Sequence, residues 1–165
     1  MTPGQIAFWI LAVMAVGSAA GVVLRRNPIH SALFLVAHLA TLAALFLKMR
    51  AEFLAAEQVI VYAGAIAVLF VFAIMVLIPG KEETGPDPLR GQRLLAVPIV
   101  AVLLLLIAVV LTSGTFGGAA KPPVPGGADG VGRVLFTDYL FPFEVTSVLL
   151  LAAIVGVMAL TKRRA

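Results

Sequence analysis

Five long stretches of the sequence carry no Asp, Glu, Lys or Arg, and they constrain the fold more than any other feature. They are residues 1–24, 27–47, 58–80, 94–120 and 145–161. Crossing the ~30 Å hydrocarbon core of a bilayer takes about 20 apolar residues in a helix, and in lipid the backbone polar groups must bond within the segment. We therefore predict an all-α membrane protein with five transmembrane helices. The predicted spans cover residues 5–24, 28–47, 56–78, 94–112 and 138–161.

The composition leaves no room for a soluble domain. Of the 165 residues, 62% are hydrophobic and 12% are charged, which is far from the average for soluble domains. The two longest connections are a polar turn at residues 81–93 and a Gly/Pro-rich segment at residues 113–133, which we expect to be a flexible, partly polyproline loop. We expect residues 1–165 to form a single transmembrane domain, so any soluble chemistry belongs to partner proteins.

The basic residues fall unevenly over the connections and predict the orientation of the chain. Eight lie on one side: Arg25, Arg26, Lys81, Arg90, Arg93, Lys162, Arg163 and Arg164. Four lie on the other: Lys48, Arg50, Lys121 and Arg133. Because cytoplasmic loops carry the excess of basic residues, the N-terminus is predicted outside, on the periplasmic side, and the C-terminus in the cytoplasm. Since the first basic residue follows the first apolar stretch, we expect no cleaved signal peptide.

Residue types that bind redox cofactors and metals are scarce. The chain has no cysteine, which excludes disulfides, iron–sulfur ligation and thiolate metal sites. Its two histidines, His30 and His38, lie on one predicted helix and cannot face each other across a haem. No glycine-rich dinucleotide motif opens a helix after a strand, and no basic surface interleaved with aromatic residues indicates nucleic acid. We predict that the chain itself binds no cofactor and no metal.

Two local signals flank the first connection, one near the end of the first span and one at the start of the second. The stretch "GSAAG", Gly17 to Gly21, contains a pair of glycines four residues apart, which lets another helix approach closely. Asn27 followed by Pro28 predicts the N-cap and the first turn of the second helix.

The third span begins with polar residues and carries a phenol and a glycine near its middle: "EQVIVYAGAIAVLFVF", residues 57–72. Gln58 and Tyr62 share one helix face, and Glu57 and Gly64 share the adjacent one. Glu57 can be an ordinary hydrated residue at a helix start or part of a polar path. A mid-span glycine costs about 1 kcal/mol of helix propensity against alanine in water, so packing offsets that cost or the helix is irregular there.

Two explanations of Gly64 stay open. Its small neighbours suit close packing against another helix, which is the commoner case, and they also suit a π-bulge, a turn with one extra residue. Gain or loss of a bulge turns everything beyond it by about 100°. Large side chains such as Phe70 and Phe72 would then swing into or out of a neighbouring space, as in a hydrophobic gate.

Two further polar groups lie within predicted spans. His38 is near the middle of the second span, where a neutral imidazole needs a partner; a satisfied core histidine is the commoner case and a titrating one the alternative. The last span is expected to begin near Asp138, with Thr137 or Asp138 as its cap. Glu144 then lies about two turns inside the helix and is a candidate intramembrane acid. If that helix starts instead at Pro142, Glu144 is a first-turn acid at the headgroups.

Three segments, in this order and spacing, resemble one membrane-protein family. They are "RRNPIHSALFLV", "EQVIVYAGAIAVLFVFAIMVL" and "GRVLFTDYLFPFEVTSVLLLAAIVGVMAL". They resemble the J subunit of the proton-translocating NADH-quinone oxidoreductase, the bacterial counterpart of mitochondrial complex I chain 6. The resemblance covers residues 18–80 and 131–160, and its most specific part is "VIVYAGAIAVLFVF".

The resemblance implies a function and a set of partners. It implies a non-catalytic membrane-arm subunit, in the bacterial plasma (inner) membrane, that couples electron transfer from NADH to quinone with proton translocation. The chain would be an obligate hetero-oligomer with the quinone-site subunit and the antiporter-like subunits. NADH, flavin, iron–sulfur clusters and quinone are then expected on partner subunits.

The resemblance also implies roles for individual residues. In this family the third helix is described as switching between α-helical and π-bulged forms at the tyrosine and glycine that match Tyr62 and Gly64, which opens and closes a water-filled proton path. Some relatives have a glutamate in the register of Gln58, whereas this chain has the amide there and its acid one residue earlier, at Glu57. The family's acid in the last helix matches Glu144.

Two other functions compete with this one. A structural adaptor would use its small residues only to pack helices together, and a small independent transporter or channel would move a solute alone. The lack of inverted repeats and the scarcity of intramembrane charges speak against a transporter.

Overall fold

The chain is helical in five membrane-length stretches. The computed structural model describes residues 2–77, 90–114 and 125–162, with the backbone alone for residues 90–94. Its elements are α1 (Pro3–Leu24), α2 (Pro28–Lys48), α3 (Glu52–Glu57), a π-helical segment (Gln58–Ile66), α4 (Ala67–Leu77), α5 (Arg90–Thr112), α6 (Ala128–Thr137) and α7 (Leu140–Thr161). The stretches long and apolar enough to cross a membrane are Pro3–Leu24, Pro28–Lys48, Glu52–Leu77, Leu95–Thr112 and Leu140–Thr161. The prediction of an all-α protein with five spans is confirmed.

The turn between α1 and α2 has the predicted cap. The Asn27 side-chain oxygen accepts a hydrogen bond from the Ile29 backbone N–H at 2.9 Å, and Pro28 opens the helix, where its missing N–H is not needed. The Ser31 hydroxyl donates to the carbonyl of Val22 and ties the end of α1 to the start of α2. This polar turn holds the two helices antiparallel.

Helix α2 lies between α1 and the third span, and in the described part of the chain those two do not contact each other. The residues buried at these contacts are almost all small: Ala15, Ser18, Ala32, Thr41, Ala43, Ala55, Gln58 and Ala67. Small side chains allow close approach of helix backbones in a membrane. Most of the large apolar side chains of the described residues are exposed.

A left-handed residue closes the turn between α2 and α3. Arg50 has a φ of +63°, and its N–H donates to Leu47 O at 3.1 Å while the next N–H, from Ala51, donates to Phe46 O at 3.0 Å. This is the Schellman arrangement that ends many helices, usually with glycine at the left-handed position. The turn is covered by Gly126, where a Cβ would overlap the Arg50 carbonyl oxygen.

The segment before the last span is more ordered than the sequence indicates. The end of the loop predicted at residues 113–133 is helical, since α6 begins at Ala128. Residues 115–124 of that loop lie outside the described residues. The Phe53 N–H donates to the carbonyl of Gly126 at 3.0 Å. This backbone bond anchors the start of α6 on the start of α3.

The last span begins at Leu140, later than the predicted start near Asp138. Thr137 and Asp138 do not cap it, because both complete α6: the Thr137 hydroxyl donates to Arg133 O at 2.8 Å and the Asp138 N–H donates to Val134 O at 3.0 Å. Among the described residues α7 contacts only α6, so its apolar side chains are exposed throughout.

Residues 79–123 form a compact unit of their own. Its described helix, α5, begins at Arg90, ahead of the predicted span start at residue 94, and contains Pro98. The apolar side chains from Leu95 to Leu111 are exposed, apart from that of Val110, which is half-buried.

Candidate functional site: a π-helical turn and a polar groove in the third span

The third span changes its backbone form at the residues singled out in the sequence. It is α-helical over Glu52–Glu57, π-helical over Gln58–Ile66 and α-helical again over Ala67–Leu77. The Ala67 N–H donates to the carbonyl oxygen of Tyr62, five residues earlier, where an α-helix would use the residue four earlier. Of the two forms weighed for this segment, the structure contains the π form.

The position of Gly64 follows from this π turn. A Cβ added at Gly64 would lie 3.1 Å from the carbonyl oxygen of Val59, and no other atom beyond the glycine's own local helix backbone comes within 4 Å. The close neighbour is therefore a backbone atom of the same helix, which cannot move aside as a flexible side chain can. No other helix of the described chain comes within 4 Å of that Cβ position.

A groove opens beside the π turn, between α2 and the third span. It has a volume of about 270 Å³ and is lined by Phe46, Leu54, Glu57, Gln58 and Tyr62. The structure thus brings three predicted site residues to one place. Phe46 and Leu54 complete the lining of the groove. The sequence did not identify them as site residues, since an aromatic or aliphatic residue in an apolar helix gives no sign of a functional role.

The polar groups of the groove differ in exposure. Gln58 is 8% exposed and Tyr62 is 48% exposed, while Glu57 is also exposed. Within the described residues, neither the Gln58 amide nor the Tyr62 hydroxyl has a hydrogen-bond partner. Both side chains, together with the Glu57 carboxylate, remain available to whatever enters the groove. An amide cannot exchange a proton as an acid does, so the groove offers one carboxyl and one phenol for proton transfer.

The two phenylalanines predicted to move with a bulge lie beyond the π segment, on α4. Phe70 and Phe72 are both exposed and neither lines the groove. The helical register after the π turn determines the direction in which both side chains point. Removing the extra residue of that turn would rotate both around the axis of α4.

His38 lies elsewhere, at the contact of α1 with α2. Its Nδ1 is 3.0 Å from the carbonyl oxygen of Ala15 and 3.3 Å from the Ser18 hydroxyl. The Ser18 hydroxyl donates to Met14 O at 2.7 Å. With a proton on Nδ1 donated to Ala15 O, the half-buried imidazole has the hydrogen-bond partner that a histidine within an apolar span needs. Ser18 was missed as a partner, although it stands in the middle of "GSAAG".

Glu144 is also separate from the groove. It is the fifth residue of α7, just beyond the first turn, and therefore between the two depths that the sequence left open. Its side chain is exposed and makes no ion pair with any residue that the structure describes. In these same residues, no cluster of three or more His, Asp or Glu could hold a metal ion.

These features define a class: multi-pass, all-helical membrane proteins whose third span is interrupted by a π-helical turn beside a polar groove. The chain matches the family of NADH-ubiquinone/plastoquinone oxidoreductase chain 6 over residues 18–160 and belongs to it. The family resemblance found in the sequence is confirmed. The chain is thus a membrane subunit of the complex I J/chain 6 type.

Individual relatives cover most of the chain. It is 40% identical over 160 residues to NAD(P)H-quinone oxidoreductase chain 6 of Leptolyngbya boryana, an alignment that covers 96% of this chain and 79% of that one. It is 34% identical over 174 residues to NADH-quinone oxidoreductase subunit J of Rhodobacter capsulatus, covering 99% and 84%. It is 41% identical over 144 residues to NADH-quinone oxidoreductase subunit 10 of Thermus thermophilus, covering 86% and 80%.

Proposed function

We propose that this chain is a non-catalytic membrane-arm subunit of a proton-translocating NADH-quinone oxidoreductase in a bacterial plasma membrane. It has no active site of its own and binds no cofactor; NADH, flavin, iron–sulfur clusters and quinone belong to partner subunits. Its third helix couples electron transfer to proton translocation by changing between π and α forms. The path it controls runs between the quinone-site subunit and the antiporter-like subunits.

The observation that carries the proposal is the backbone of the third span. The backbone groups of a π turn have a second possible pairing. The Ala67 N–H donates to the Tyr62 carbonyl in this structure, and in a regular α-helix it would donate to the Ala63 carbonyl. The two pairings use the same amide donor and differ in its acceptor. A modest bias from a neighbouring subunit is then enough to change the population of the two forms.

Conversion between the forms moves side chains beyond the turn. A change of one residue in register rotates α4 by about 100° around its axis. Phe70, which faces outward in the π form, would sweep into a different neighbouring space and act as a hydrophobic gate. The groove holds Glu57, Gln58 and Tyr62 beside the proposed proton path, at the other side of the π turn from Phe70. In this proposal Glu57 and Tyr62 carry the proton and Gln58 supplies hydrogen bonds.

The proposed orientation places the groove toward the periplasmic side. Lys48, at the end of α2, lies beside Gly4 at the start of α1, with its Nζ 3.1 Å from where a Cβ of Gly4 would be. The start of α1, the end of α2 and the start of α3 therefore share one end of this helix group. The excess of basic residues at the other connections assigns that shared end to the outside.

The test uses a glycine-to-valine pair in the intact complex. In Gly64→Val the added Cβ comes 3.1 Å from the Val59 carbonyl oxygen, a tight contact that we expect to disfavour the π form. We expect a severalfold fall in protons pumped per NADH oxidised, with the complex still assembled. Gly156→Val is the matched control, because a Cβ there meets nothing within 4 Å.

Three outcomes separate the alternatives. Lower pumping with normal assembly supports a switch in the third helix. Loss of the whole complex in Gly64→Val but not in Gly156→Val would support a structural adaptor. Transport by the purified chain alone would support an independent transporter.

A further inference from the structure

A cleft lies where α1 ends and α2 begins, at the opposite end of these helices from the polar groove. Its volume is about 340 Å³, and it is lined by Arg25, His30, Leu33, Phe34 and Ala37. None of these residues takes part in the switch or in the proton path proposed above. The cleft therefore needs an explanation of its own.

An arginine is held at the mouth of this cleft by a stack of three residues. A Cβ at Gly21 would lie 2.5 Å from Cδ1 of Phe34, so the aromatic ring rests directly on the backbone of α1. The Arg25 Cζ lies 5.2 Å from the centroid of the same ring, within the range of a cation–π contact. The guanidinium is thus positioned above the ring without an anionic partner from the described residues.

The cleft has a polar end and an apolar end. Arg25 and His30 form the polar end, next to the basic turn that also contains Arg26. From His30 the lining continues along one face of α2 with the spacing of a helical stripe, through Leu33 to Ala37. A small soluble anion bound in the cleft would make no use of its apolar end. An apolar helix packed there would bury the Arg25 guanidinium without a partner, which is costly.

We propose that this cleft binds one anionic phospholipid of the bilayer. Its phosphate contacts the Arg25 guanidinium, with His30 as a second polar contact, and one acyl chain lies along Leu33 and Ala37. Basic pockets between transmembrane helices on the cytoplasmic side bind acidic lipid headgroups in this way. The small side chain of Ala37 leaves space for the chain of the lipid.

The purified intact complex is placed in phosphatidylcholine nanodiscs that contain a trace of a photoactivatable lipid. In one sample the probe is phosphatidylglycerol, and in the other it is phosphatidylcholine with the same acyl chains. Labelled peptides are mapped by mass spectrometry. We expect the phosphatidylglycerol probe to label Leu33 and Ala37 more strongly than the phosphatidylcholine probe. Arg25→Gln should reduce that labelling about fivefold, the effect of one arginine at a membrane surface.

The matched control is Arg26→Gln, which removes the same charge at the next position but not from the lining of the cleft. It should leave the labelling within about twofold, because Arg26 does not line the cleft and makes no direct contact with the bound phosphate in this proposal. Arg25→Lys should retain most of the labelling. Competition on the unsubstituted complex needs no variant: unlabelled phosphatidylglycerol should displace the probe, and phosphatidylcholine should not.

Two results would overturn the proposal. Equal labelling by both probes, with equal competition by both lipids, would mean that ordinary bilayer lipid fills the cleft. Absence of lipid label at Leu33 and Ala37 in the intact complex would mean that a partner subunit covers it.

Discussion

The backbone N–H of Ala67 donates its hydrogen bond to the carbonyl oxygen of Tyr62, where a regular α-helix would use the carbonyl of Ala63. This exchange of acceptor is one of the changes in backbone pairing that separate the π form of the third span from the α form. It lies at the end of the segment that contains Gly64 and beside the groove that contains Glu57 and Gln58. The predictions below test whether the exchange controls proton movement.

Removing the phenol of Tyr62 should lower coupling without affecting assembly. Tyr62→Phe keeps the ring in the groove and deletes only the hydroxyl, which has no partner among the described residues. A hydrogen bond of about 1 kcal/mol made in only one of two forms changes their ratio about fivefold. We expect a severalfold lower proton-to-NADH ratio in vesicles containing the complex. Tyr139→Phe, at the exposed start of α7, is the matched control and should pump normally.

The carboxylate of Glu57 should matter more than that of Glu52. Both are exposed glutamates of α3, but only Glu57 lines the groove. Glu57→Gln removes the groove's only carboxyl and should slow pumping coupled to NADH oxidation, whereas Glu52→Gln should not. Equal effects of the two substitutions would show that the groove is not the proton path.

Glu144→Gln should have a smaller effect than either groove substitution. The residue lies just beyond the first turn of α7, and that helix does not contact the third span among the described residues. A modest decrease in pumping is expected if the acid faces a partner subunit within the membrane. Unchanged pumping together with unchanged assembly would remove Glu144 from the path.

The two glycines of "GSAAG" should differ in their effect on stability. A Cβ at Gly21 would strike the ring of Phe34, whereas one at Gly17 meets nothing within 4 Å. Gly21→Ala should therefore destabilise the α1–α2 pair by about 1–3 kcal/mol. Gly17→Ala should be neutral or stabilise the helix by up to about 1 kcal/mol. Unfolding of the full chain in mixed micelles with increasing SDS measures both, and a larger loss in Gly17→Ala would contradict the packing described here.

The number and kind of spans could be predicted because charge-free apolar stretches of membrane length permit little else. The Asn27 cap was also predictable, since its chemistry is local. The form of the third span was not: Gly64 and its small neighbours fit both close packing of a regular α-helix and a π turn. The two forms differ in backbone pairings, such as that of Ala67 with Tyr62, which leave no mark in the sequence. The sequence could locate the irregularity but not its geometry.

Helix α6 escaped prediction for a different reason. Its first residues, from Ala128, continue a Gly/Pro-rich segment, and their helix is anchored by the bond from the Phe53 N–H to the Gly126 carbonyl. A contact between residues so far apart in the chain leaves no periodic pattern in either segment. The same holds for the partners of His38: the need for one was predictable, but Ala15 and Ser18 were identified only by the packing of α1 on α2.

The most direct measurement is electron cryomicroscopy of the intact complex at rest and during turnover with NADH and quinone. The distance from the Ala67 nitrogen to the carbonyl oxygens of Tyr62 and Ala63 would be read in each class of particles. Our account predicts that turnover changes the proportion of a class in which Ala67 bonds to Ala63 and Phe70 is rotated by about 100°. A complex that pumps protons with the Tyr62 pairing in every class would contradict it.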